Sequence, residues 1–184
     1  MENALSDRPT KYKLHFKKSA YNWLNFCKEL PPCYDAGGDP IEHSEFGGID
    51  FHDEATKRVS LLLLNGKIQF AYWVATGDDF HLAKWMFADL PIDPAGLPPG
   101  AGAEVDKLSA GIEAAMAQAV SFKLNAGKKV GNYNLAKCRH VTDISDRIFL
   151  EALGLPDVWQ DIELLYAQVV KTDFSDADEG DASE

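Results

Sequence analysis

The chain has 184 residues, 46% of them hydrophobic, and a formal net charge of −11 at neutral pH. That is enough for one domain with a real core, or for one domain and a helical extension. No apolar run approaches the ~20 residues of a bilayer span, the start lacks a secretory pattern, and Cys27, Cys33 and Cys138 form no CxxC pair; the expectation is a cytoplasmic protein with reduced thiols and no membrane contact.

Residues 1–10 are expected to be a flexible leader. Tyr12, Leu14 and Phe16 then alternate with Lys11, His15 and Lys17, the period of a half-buried strand. A second strand is expected over Tyr21–Phe26, stopped by Pro31-Pro32, with turn chemistry at Asp35–Pro40 and a loop at Phe46-Gly47-Gly48-Ile49. Asp53 is placed to cap a helix running to Leu64, which Asn65-Gly66 would end in the left-handed manner. Ile68, Phe70, Tyr72 and Val74 alternate as a strand would, but Gln69, Ala71 and Trp73 make no polar face, so a second buried helix is expected. Pro91 to Gly102 holds four prolines and three glycines and reads as a surface linker, centred on 95–102.

Beyond it Val105, Leu108, Ile112, Ala115, Ala119 and Phe122 fall at helical spacing. Thr142 can cap a further helix that exits at Gly154-Leu155-Pro156, and Val158, Ile162, Leu165 and Val169 stripe a last one. The expected fold class is α+β: a small mixed sheet with buried helices over residues 11–94, followed by a helical C-terminal extension over 103–172 and an acidic, disordered tail over 173–184.

The acidity is unevenly spread. From Asp173 onward there are six acids and no base, which leaves −5 on the rest. Between Arg8 and Lys28 lie six bases and no acid, and between Lys123 and Arg147 six bases against two acids. Such patches can hold phosphate on an acidic protein, although steering toward DNA from a distance would be weak; ordinary solvated charge is the alternative.

One ordered set of segments points further. Leu61-Leu62-Leu63-Leu64-Asn65-Gly66 is followed by Phe70-Ala71-Tyr72-Trp73-Val74, and then by Asp79-Phe80-His81-Leu82-Ala83-Lys84-Trp85-Met86-Phe87-Ala88-Asp89-Leu90-Pro91-Ile92. Together with Gly127–Arg139, Thr142-Asp143, Asp146-Arg147 and Ala152–Leu155, this order resembles the target-recognition and C-terminal region of Eco57I-type adenine-specific (N6) DNA methyltransferases of restriction-modification systems. The resemblance covers residues 11–93 and 120–174. It implies a module that clamps double-stranded DNA while a catalytic domain or subunit flips adenine and transfers methyl from S-adenosylmethionine, in a bacterial defence setting.

The transfer chemistry itself is missing here. The nearest string to the Pro-Pro-aromatic motif is Leu30-Pro31-Pro32-Cys33, in which Leu30 cannot accept a hydrogen bond from an amine and Cys33 offers no ring. No glycine loop for S-adenosylmethionine precedes it, no Asp/Glu-x-Lys triplet suggests a nuclease, and no Gly-x-Ser-x-Gly elbow occurs. The histidines lack the spacing of helical zinc ligands; only His43, Asp50 and His52 could meet in a loop. Gly127-Lys128-Lys129 has a lysine where a phosphate loop needs a hydroxyl. No catalytic residue, cofactor or metal is expected in this chain, S-adenosylmethionine belonging to the catalytic half.

Two segments are candidate DNA contacts. His81, Lys84 and Trp85 offer a phosphate ligand and rings that stack or wedge at a base step, unless Trp85 packs in the core. Lys128, Lys129, Asn132, Tyr133, Asn134, Lys137 and Arg139 offer phosphate ligands, a stacking ring, and two amides able to read adenine edges, unless the asparagines cap neighbouring helices across an interhelical turn. A different class of reading keeps DNA out altogether: a subunit that docks on a partner protein through the apolar stripes Val105–Phe122 and Val158–Val169.

Overall fold

Leu14 and Phe16 point inward from strand β1 (Lys13–Lys17), and Ile49 and Phe46 do the same from strand β4 (Phe46–Asp50). The computed structural model describes residues 1–20, 23–78, 80–96 and 102–170. β1 is the centre of a three-stranded antiparallel sheet. It pairs with β4 in the register Leu14↔Ile49 and Phe16↔Gly47, and with the short strand β2 (Phe26–Cys27) through Phe16↔Phe26. The expected loop at Phe46–Ile49 is therefore a strand. Two glycines lower its intrinsic strand propensity, but pairing with β1 along its whole length outweighs that. Of the expected second strand only Phe26 is in a strand, which runs on to Cys27; Tyr21 and Asn22 lie outside the described residues.

Helix α1 (Glu54–Asn65) starts where its sequence dictates: Asp53 is extended, and its carboxylate accepts the Thr56 amide at 2.8 Å. Leu61, Leu62, Leu63 and Leu64 are all buried, so the C-terminal half of this helix is enclosed on every side. Each leucine contributes roughly 1.5–3 kcal/mol through burial. Helix α2 (Lys67–Thr76) follows after one residue, as expected from its lack of a polar face, and buries Ile68, Gln69, Phe70 and Trp73. Helix α3 (Lys84–Ala88) is short and buries Met86 and Phe87.

The linker reading falls on a single 3-10 turn at Pro94–Gly96 and on residues 97–101, which lie outside the described residues. Helix α4 (Gly102–Gln118) ends earlier than its stripe suggested, because Phe122 belongs to strand β5 (Val120–Asn125). β5 forms a hairpin with β6 (Lys128–Tyr133), and β6 pairs on its other side with strand β3 (Cys33–Tyr34), giving a second sheet in the order β3-β6-β5. Helix α5 (Arg139–Ala152) begins before Thr142, so Thr142 is a buried residue of its first turn and not its cap. Gly154 follows α5 with φ 72°, the exit expected of it. Helix α6 (Val158–Val169) turns Trp159, Ile162 and Tyr166 inward. Residues of the expected acidic tail lie outside the described residues. Helices and small antiparallel sheets together make an α+β fold with a helical C-terminal part.

The first residues are not a free leader. Met1, Ala4 and Leu5 are buried, the Met1 ammonium donates to the Leu90 carbonyl at 2.6 Å, and Leu5 bridges Phe51. α4, α5 and α6 pack on α1 and α2, so residues of both halves of the chain line one hydrophobic core.

The junction between α1 and α2 holds these layers together. Asn65 accepts the Phe26 amide (2.9 Å) and donates to the Phe26 and Leu61 carbonyls (both 2.8 Å). Gly66 is extended (φ −80°, ψ 170°), so the expected left-handed cap is not what requires glycine here. Space does: a Cβ at residue 66 would stand 2.1 Å from Asp146 Oδ1. Asp146, fully buried on α5, accepts the Lys67 amide at 2.6 Å and so caps α2 in place of a side chain at residue 66. Burial pushes the Asp146 carboxyl up to about 8, against the hydrogen bond from the Lys67 amide and with help from the nearby Asp143 charge.

In the unfolded chain the same carboxyl ionises near ~3.9. The folded state therefore holds a proton that the unfolded state releases, and this group's contribution to stability is lost as pH rises from about 4 to about 8. Asp146→Asn keeps an acceptor for the Lys67 amide but cannot ionise. Denaturant melts across that window should show the variant gaining on the wild type as pH rises; a pH-independent difference would contradict the assignment.

Candidate nucleic-acid interface

The segment before α3 is held rigidly. Asp78 accepts the amides of Phe80 (3.1 Å) and His81 (2.7 Å) through one carboxylate oxygen and His81 Nδ1 (2.6 Å) through the other. The hydrogen bond from the His81 ring, followed by those from the two amides, holds the Asp78 carboxyl down at about 2. The turn is tied to the end of β1 by Ala20 N–H to Phe80 O and Leu82 N–H to Lys18 O, and to α2 by the Trp73 indole N–H on His81 O. His81, Lys84 and Trp85 are all exposed on it, Trp85 by 49%, so Trp85 is not a core residue. With its Nδ1 engaged by Asp78, His81 offers chiefly a ring face. Phe80, 40% exposed and edge-on to His81 at 4.9 Å, adds an aromatic surface that hydrophobicity alone did not single out.

The second candidate segment is a hairpin and not an interhelical turn. Its tip is Ala126-Gly127 with φ 49° and 79°, the left-handed pair that a tight two-residue hairpin needs. Lys123, Lys128 and Lys129 are exposed. Asn132 is half-buried, and its Oδ1 accepts Lys17 Nζ at 2.5 Å, so it is engaged within the fold. Tyr133 is buried and donates its hydroxyl to the Glu29 carbonyl at 3.1 Å, which removes it as a stacking ring; burial pushes its hydroxyl up to about 12. Asn134 is buried and caps a 3-10 turn (Leu135–Cys138) by accepting the Ala136 amide at 3.1 Å. It cannot read a base. Lys137 is exposed on that turn, while Arg139, at the start of α5, lies over the Tyr166 ring at 4.0 Å.

Of ten candidate contacts, the fold thus leaves His81, Lys84, Trp85, Lys128, Lys129 and Lys137 at the surface and takes Tyr133 and Asn134 into the core. It also brings the two segments toward one place. Ser19 bridges His81, and two residues earlier Lys17 reaches Asn132 of the hairpin, so both flank the C-terminal end of β1. Lys18 is exposed between them. The charge count flagged this lysine pair without assigning it a role. Lys17 is partly offset by Glu45 at 3.4 Å.

No protein-family model, curated protein or solved structure matches this chain. Among the described residues, no helix is long and apolar enough to cross a membrane, and no three His, Cys, Asp or Glu side chains are placed to hold a metal ion. His43 is buried with Nε2 donating to the Gly131 carbonyl at 3.0 Å. Burial pushes the Cys27 thiol up to about 12 and Cys138 up to about 11, so neither is a thiolate at neutral pH.

The burial of Asn134 separates a capping role from a reading role. Asn134→Ala should lower stability by about 1 kcal/mol, the usual cost of losing a cap, and leave any DNA affinity unchanged. Paired denaturant melts and DNA titrations check it; a stable variant with weakened binding would reverse the assignment.

Proposed function

We propose that this chain is a DNA-contacting recognition module, the counterpart of the target-recognition region of an adenine-N6 DNA methyltransferase in a restriction-modification system, acting beside a catalytic domain or subunit that binds S-adenosylmethionine. The observation that carries the reading is that the His81–Trp85 turn, through Ser19, and the β5–β6 hairpin, through Asn132, both meet the end of β1. Lys18, Lys84, Lys128 and Lys129 are exposed on these segments, Lys128 on the hairpin face that carries Asn132 and Lys129 on the other, and suit phosphate. Trp85, and Phe80 beside it, suit a base step or a sugar face. The methyltransferase setting rests on the order of the leucine, aromatic and basic-aromatic segments.

Base reading by Asn132 and Asn134 drops out of the proposal, because one is engaged by Lys17 and the other is a buried cap. Contact is then chiefly with the backbone, and base discrimination falls to the His81–Trp85 turn and to the catalytic partner. Docking on a protein through the stripes of α4 and α6 is the weaker reading. Of those stripes Val105, Ile112, Ala119 and Ile162 are already buried within this chain, while Val169 stays exposed.

Fluorescence anisotropy of labelled duplex DNA at low and moderate salt tests the proposal. The expected result is salt-sensitive binding whose log–log salt slope shrinks by about 2 in the double variant Lys128→Ala/Lys129→Ala, one unit for each lost phosphate contact. Binding that ignores both salt and these lysines, or no binding at low salt, would count against it.

A further inference from the structure

The hairpin presents a second surface, on its other side from Asn132. Alternation along the strands places Phe122, Leu124 and Lys129 on one face of the β3-β6-β5 sheet, and Tyr34 joins them because it pairs with Lys129. This face is open. Leu124 is 82% exposed and Phe122 39%, whereas Cys33, Val130 and Tyr133 of the same sheet are buried. The Tyr34 and Phe122 rings lie 6.1 Å apart, and the Lys129 ammonium stands 4.4 Å from the centre of the Phe122 ring. Between the hairpin tip and the Asp35–Gly38 turn runs an open groove of about 490 Å³, lined by Tyr34, Leu124, Lys129, Gly127 and the backbone of Gly37 and Gly38.

We infer that this groove takes an unpaired nucleobase of a single-stranded nucleic acid. Three features select that occupant. An aromatic ring and an exposed leucine form a flat apolar wall, and every base has a π-face to lay against it. Lys129 is held beside that wall by Phe122, where the phosphate of a stacked nucleotide would fall. The charge on this face fits as well: Lys129 is the lysine that lines the groove, Lys123 and Lys128 alternating to the other face. The Asp35 carboxylate at the groove edge is turned to its own loop, accepting the Gly37 and Asp39 amides at 2.9 Å each. An apolar peptide would use the wall but not Lys129.

The inference does not depend on duplex binding, and its test separates the two. Tyr34→Ala removes the ring while leaving Lys84, Lys128 and Lys129 in place, and Tyr34→Phe restores the ring without the hydroxyl. Leu124→Ser changes a side chain too exposed to matter for folding. The probe is a fluorescein-labelled oligothymidylate, with a labelled duplex titrated in parallel. Tyr34→Ala and Leu124→Ser should each weaken oligothymidylate binding by about 5- to 100-fold, Tyr34→Phe should bind as the wild type does, and duplex binding should change less than about twofold. Equal oligothymidylate affinity in the wild type and Leu124→Ser would overturn the inference, as would a wild type that does not bind the single strand.

Discussion

Three consecutive residues, Asn65, Gly66 and Lys67, join most of the elements of this fold. Asn65 pairs with both backbone groups of Phe26 and thereby fixes β2 to the end of α1. Gly66 leaves room for the Asp146 carboxyl, which caps α2 from α5. Lys67 pairs with Asp143 of α5 at 3.0 Å and Glu163 of α6 at 3.8 Å, and lies over the rings of Trp159 and Tyr166. Each buried hydrogen bond is worth only about 1 kcal/mol net, but orphaning a buried partner costs about 1–3 kcal/mol. A chain that lost the Asn65 amide would leave the Phe26 backbone unpaired in the core.

The surface inherits its geometry from this junction. β2 pairs with β1, and the end of β1 carries Lys17, Lys18 and Ser19, which in turn meet the hairpin and the His81 turn. A second buried amide, Asn25, donates to the Tyr133 carbonyl at 2.9 Å and ties the base of the hairpin to the segment entering β2. The exposed lysines and rings therefore stand on a framework whose polar links are short and join residues distant in sequence. Such a framework can hold a pattern of contacts without a ligand to organise it.

Much of the helical structure was legible. Asp53 caps α1 because an extended Asp before Glu54 satisfies an orphan amide, and α2 is a helix because its residues have no polar side to face water. The β6 hairpin was not. Gly127, Gly131 and three lysines look like a solvated loop, and Ala119 and Phe122 happen to continue the spacing of α4, which masked the period-2 pattern Val120-Ser121-Phe122-Lys123-Leu124-Asn125. The strands β3 and β4 hide for the same reason, being short or glycine-bearing and dependent on distant partners. That loss carried over to the site. Read as a loop, residues 127–139 present every polar side chain to solvent; as a strand and a 3-10 turn they alternate, and Tyr133 and Asn134 go inward. His81, Lys84 and Trp85 lie at the surface because the Asp78-centred turn and a short helix leave one side of each residue free, which decides the choice between surface and core that the sequence left open for Trp85.

On the proposed reading, the end of β1 gathers two exposed basic segments into one nucleic-acid surface. Backbone amide shifts of the isotopically labelled chain, followed by NMR during titration with a short DNA duplex, test it residue by residue. The account predicts perturbations confined to one patch comprising Lys18 and Ser19, Phe80 to Trp85, and Lys123 to Lys129, with α4 and α6 silent. Shifts that cluster on α5 and α6, or that affect only one of the two segments, would contradict it.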